Sequence, residues 1–78
     1  MLEFNVNLQS IEDVKTFVTA ASLVDCDIDV LAGRYLVDAK SIMGLFSLDL
    51  AKPVKVQVHG NEASAGSFQK AIAHLINT

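Results

Sequence analysis

Gly33-Arg34-Tyr35-Leu36-Val37-Asp38-Ala39-Lys40-Ser41-Ile42-Met43-Gly44-Leu45-Phe46-Ser47-Leu48 is the stretch whose reading decides the fold. Ala32-Gly33 reads as a turn, because Gly33 supplies the positive φ of a tight hairpin without a steric penalty. Arg34 to Val37 then run back as a strand, antiparallel to the segment before the turn. Ser41 stands in front of a dense apolar group, Ile42, Met43, Leu45, Phe46 and Leu48, and a serine in that place caps a first helical turn. A short helix from Ser41 is predicted, although Gly44 inside it costs about 1 kcal/mol of helix propensity.

Working upstream, Cys26, Ile28 and Val30 alternate with Asp25, Asp27 and Asp29, the period of a strand with one buried and one wet face. Before it, Ser10 precedes Ile11, Val14, Phe17, Val18 and Ala21, whose spacing lines one side of an α-helix; Glu12 and Asp13 complement its positive end. At the start, Leu2, Phe4, Val6 and Leu8 alternate with polar residues and predict the first strand. Downstream, Pro53 can begin a strand but not sit inside one, and Val54, Val56 and Val58 point to one face, Lys55, Gln57 and His59 to the other. Gly60 and Asn61 end it. Phe68, Ala71, Ile72, Leu75 and Ile76 then repeat at helical spacing.

The order is βαββαβα. Four strands with one apolar face and helices with one apolar stripe pack most economically as an α+β open-faced two-layer sandwich, a four-stranded antiparallel sheet with helices on one face. Seventy-eight residues suit a single domain over residues 1–78, and 51% apolar residues suffice for its core. A net charge of −3 without a run of Lys or Arg removes the attraction that drives direct nucleic-acid binding. Apolar runs are too short to span a membrane, and the first residues lack the basic-then-apolar pattern of a secretory signal. One cysteine, Cys26, forms no internal disulfide, and the cytoplasm is the expected compartment.

The run quoted at the outset, with Lys40-Ser41-Ile42-Met43-Gly44 at its core, closely resembles the centre of the HPr family, the histidine-containing phosphocarriers of the bacterial sugar phosphotransferase system. Ala21-Ser22 before the second strand and the order of elements resemble the family as well. The resemblance implies that Ser41 opens a short helix and is a candidate for regulatory phosphorylation by a dedicated kinase. It also implies that Lys40, Ile42, Met43, Leu45 and Phe46 form a partner-docking surface. Family members that carry phosphate have a histidine followed by arginine and proline just before the first helix. Aligned without gaps from Ser22, Ser10 falls at the histidine and Glu12 at the arginine. A carboxylate there repels a phosphoryl donor, so the phosphohistidine site reads as degenerate.

Other chemistry finds little purchase. Two accounts of Met43, Leu45, Phe46 and Leu48 stand side by side, since a two-turn helix buries only part of so many apolar groups: an exposed docking patch, or core beneath the long helices. Asp25, Asp27 and Asp29 open like a calcium loop, but Val30 and Leu36 occupy the places of its glycine and bidentate glutamate. Solvated carboxylates opposite Arg34 or Lys55 are the expectation, and no metal or cofactor is. Cys26 reads as a small buried hydrophobe. No catalytic triad, phosphate loop or zinc spacing is present, so the chain is not expected to be an enzyme. The expected function is a regulatory or binding module acting through the Ser41 helix, with an HPr kinase/phosphorylase or a transcription regulator as protein partner. The alternatives are a phosphocarrier using an unconventional residue such as His59 or His74, and a homo-oligomeric scaffold.

Overall fold

The computed structural model describes residues 2–76. Its elements are β1 (Leu2–Val6), α1 (Ile11–Ser22), β2 (Asp27–Ala32), β3 (Tyr35–Asp38), α2 (Ile42–Phe46), β4 (Val54–His59) and α3 (Glu62–Ala71), followed by a 3-10 turn at Ala73–Leu75. The strands form one antiparallel sheet in the order β1-β4-β2-β3. This is the expected α+β open-faced sandwich.

Alternation in each strand determines which side chains enter the core. Val54, Val56 and Val58 of β4 are buried between Phe4 and Val6 of β1 and Ile28 and Val30 of β2. The helices close over this face with Val14, Phe17, Ala20 and Ala21 from α1 and Ala65 and Phe68 from α3. Phe17 and Phe68 meet edge to face with ring centres 5.5 Å apart, the geometry that aligns a ring's positive edge with its neighbour's negative face.

Several sequence expectations shift. β1 ends at Val6, and Leu8 is buried beyond the strand. Ile11 lies at the first helical position and is 63% exposed instead of joining the apolar stripe, on the groove that it lines with Phe46 and Leu50. Cys26 precedes β2 and is half-buried. The hairpin turn is Gly33-Arg34, with Ala32 paired to Tyr35. Ala71 is exposed, and Ile72 and Leu75 reach the core from the end of α3 and the 3-10 turn. Ile76 lies outside the helix, bridged to Val6.

The outer face of the sheet is polar except at the Leu31–Leu36 pair near the hairpin turn. Asp27 and Asp29 lie on β2, with Asp25 in the segment before it. The expected partners are corrected: Asp29 meets His59, at 2.9 Å, while Lys55 lies 3.6 Å from Glu3 and Arg34 makes no ion pair among the described residues. The Gln57 amide donates to Glu3 at 2.8 Å and holds its carboxyl below the ordinary range; slight desolvation opposes this and the Lys55 charge reinforces it. A depressed folded-state pKa adds stability that is present above the unfolded-state value and lost as pH falls through the folded one. Followed by NMR titration, the Glu3 midpoint should move up toward the ordinary glutamate value in Gln57→Leu; an unmoved midpoint would remove the hydrogen bond as the main cause.

Gly33 is the one residue described with positive φ, +61°, while Arg34 has negative φ, the sign pattern of a type II′ hairpin turn. A Cβ at Gly33 meets nothing within 4 Å, so a substitution there probes the backbone alone. Gly33→Ala should therefore cost about 1–2 kcal/mol, read as a lower melting temperature.

Candidate functional site

Two helix starts carry the serines singled out by the sequence. At the first, Ser10 is extended (φ −140°, ψ 165°) and its Oγ accepts from the Asp13 N–H at 3.1 Å. Asp13 Oδ2 in turn accepts from the Gln9 N–H, also at 3.1 Å. The cap is thus reciprocal, a variant of the capping box with aspartate as the returning acid. With exposed Glu12 in the same turn, two carboxylates face the positive end of the α1 dipole. The electrostatic demand that a bound phosphoryl group would satisfy is met from within the chain.

Neither histidine belongs to this region. His59 ends β4 beside Asp29 on the open sheet face, and His74 lies in the 3-10 turn. The groove at the start of α1 is lined instead by Leu8, Ser10, Ile11 and Val14 on one side and Phe46 and Leu50 on the other.

At the second helix start, exposed Ser41 is again extended, and its Oγ accepts from the Gly44 N–H at 3.2 Å while its carbonyl accepts from the Leu45 N–H at 3.1 Å. The approach to the cap is tied down by Asp38, whose carboxylate accepts from the Lys40 N–H and whose carbonyl accepts from the Ser41 N–H. Gly44, read from the sequence as a cost to the helix, has a packing reason. A Cβ there would stand 3.2 Å from Ser41 Oγ and 3.4 Å from Val37 Cβ, so its absence admits both the capping hydroxyl and close contact with β3.

The five docking candidates separate. Met43 is 76% and Phe46 42% exposed, and Ile42 is half-buried against the core. Leu45 is fully buried and is corrected from docking residue to core; Leu48 is buried too. The two accounts of this apolar cluster therefore each hold for part of it. Lys40 is Ser41's neighbour in sequence but not in direction: its ammonium donates to the Val24 carbonyl at 3.1 Å, just past the C-terminal end of α1. Exposed Ile11 lies across the groove from Phe46, a neighbour that the helical spacing hid by assigning Ile11 to the core stripe.

The cap geometry has a mutational signature. Ser10→Ala and Ser41→Ala should each lose about 1 kcal/mol of stability in thermal or denaturant melts. Ser41→Asp should melt near the parent protein, since aspartate caps as serine does. Ser10→Asp should fall below it, because the new carboxylate joins Glu12 and Asp13. A Ser41→Asp melt well below that of Ser41→Ala would contradict the cap.

Comparison with known proteins adds the following. Residues 13–78 match the family model described as the PTS HPr component phosphorylation site. The fold is similar to that of HPr-C-His from Thermoanaerobacter tengcongensis, with a TM-score of 0.78 and 29% identity over 97% of this chain and 91% of that one. It is also similar to the phosphocarrier protein HPr from Bacillus anthracis, with a TM-score of 0.71 and 23% identity over 95% and 93% of the two chains, a likeness of fold. No curated protein matches. The family match opens at Asp13, past Ser10 and Glu12.

Proposed function

The chain belongs to the HPr family of the phosphotransferase system, and on that premise we propose that it is a regulatory or binding module that acts through the Ser41 helix rather than a phosphocarrier. The observation that carries this reading is the start of α1, where Ser10 and Asp13 cap each other beside Glu12 and, among the described residues, no histidine or arginine lines the groove. Histidine-to-histidine phosphoryl transfer needs an imidazole in line with the donor and positive charge around the moving group. The start of α2 differs. Ser41 is exposed, its Oγ accepts one hydrogen bond, and no carboxylate lies in its first turn.

In this reading an HPr kinase of the cytoplasm transfers phosphate to Ser41. Ser41 Oγ displaces ADP from the γ-phosphorus of ATP, and its hydroxyl proton passes to a base of the kinase. The product carries about two negative charges at the rim of an apolar surface formed by Met43 and Phe46 with Ile42 at its margin. Lys40, turned to Val24, contributes to that surface through its position at the helix entrance and not as a counterion to the phosphate. A transcription regulator that reads the modified domain would distinguish the two charge states through this patch.

Intact mass after incubation with ATP and the kinase tests the proposal. The parent protein should gain one acid-stable phosphoryl group, and Ser41→Ala should gain none. An unmodified parent would sink the regulated role. Acid-labile labelling by the phosphoenolpyruvate-dependent first enzyme of the system would instead establish a histidine carrier and overturn the reading.

A further inference from the structure

The sheet has two edges, and they are treated differently. At β1 the C-terminal end of the edge is occupied, since Val6 bridges to Ile76 and the Asn7 N–H donates to the Leu75 carbonyl at 2.8 Å. At the other edge lies β3. The Ala39 N–H donates to the Ile28 carbonyl at 2.9 Å, which sets the parity of the β2–β3 ladder. Residues 35, 37 and 39 turn their backbone groups toward β2, so Leu36 and Asp38 turn theirs outward. The Asp38 carbonyl already accepts from the Ser41 N–H. The N–H and carbonyl of Leu36 face the open edge.

Natural proteins blunt such an edge by keeping it short or with charges, proline or a bulge. β3 is short, four residues, and carries Asp38, but Tyr35-Leu36-Val37-Asp38 has no lysine or proline, and Tyr35 and Leu36 are 71% and 59% exposed. We propose that this edge is a self-association surface: two copies of the chain pair antiparallel through β3 about a two-fold axis at Leu36, joining two four-stranded sheets into one of eight strands. The inference is independent of the role assigned to Ser41.

Charge complementarity selects both the occupant and the register. With the axis at Leu36, each Leu36 N–H meets the Leu36 carbonyl of the second copy. Val37 falls opposite Tyr35 of the second copy on the helix side, an aromatic and β-branched pair. Asp38 falls opposite Arg34 of the second copy, and symmetry makes the same pair twice. Arg34 makes no ion pair within its own chain among the described residues, so it is free for this one. Moving the axis to Val37 would set Leu36 against Asp38. Moving it to Asp38 would set two like charges together and call on a carbonyl already used. Only the Leu36 register matches apolar with apolar and acid with base.

The paired segment is short, so the association is weak, and sedimentation velocity from about 10 µM to about 1 mM covers the relevant range. The parent protein should pass from monomer to dimer across it. Arg34→Glu and Asp38→Lys should each weaken the dimer by about tenfold or more, since each variant turns two cross-strand attractions into repulsions. An equimolar mixture of the two variants should restore dimerisation, because both opposed pairs are then of opposite charge. The mixture also shows that each variant chain is folded. A parent protein that stays monomeric throughout, a dimer indifferent to Arg34→Glu, or a mixture no stronger than its components would each overturn the proposal.

Discussion

The placement of β4 between β1 and β2 is the constraint on which the rest of the structure depends. Val54, Val56 and Val58 are buried to within 1% and form the middle of the apolar face, and β1 joins the β2–β3 hairpin only through them. The first strand thus waits for the sixth element of the chain before its register with Val54–His59 can form. Contacts of such long sequence separation carry loop-closure entropy that local helix and hairpin formation does not. Once β4 is seated, the helices fall on the face where Phe4, Val6, Ile28, Val30, Val54, Val56 and Val58 are gathered. The start of α1 is then brought beside the end of α2, and their exposed apolar residues share one groove.

Much of this was legible in the chain itself. Alternation over Leu2–Val6, Asp27–Ala32 and Val54–His59 is unambiguous because a half-buried strand has no other way to keep its carboxylates, lysine and glutamine wet. Both serine caps were readable for a similar reason: a side-chain acceptor before an apolar run has few other local uses. What the pattern could not carry was direction in three dimensions. Ile11 satisfies the helical spacing yet is 63% exposed at the first position of α1, and Leu45 and Phe46 are adjacent in sequence but divide between core and surface. Lys40 sits next to Ser41 along the backbone while its ammonium reaches Val24. The close packing at Gly44 likewise depends on Val37, a residue on a different element.

The two capped helix starts use the same local chemistry in opposite electrostatic surroundings. Ser10 and Ser41 are both extended, and each accepts an N–H from three residues ahead. In the first turn of α1 two carboxylates follow; in that of α2 there are none. By Coulomb's law, a dianion about 6 Å from one carboxylate is repelled by roughly 1.4 kcal/mol even in a medium as polar as water, and two carboxylates double this. Displacing the cap with a phosphoryl group would cost about 1 kcal/mol at either serine, so the difference lies in the charges and not in the caps. The same group on Ser41 meets no such charge in its own turn. The local field therefore separates two residues that sequence type and cap geometry make equivalent: two carboxylates stand in the first turn behind Ser10, whereas the one carboxylate at the approach to Ser41, that of Asp38, already accepts from the Lys40 N–H.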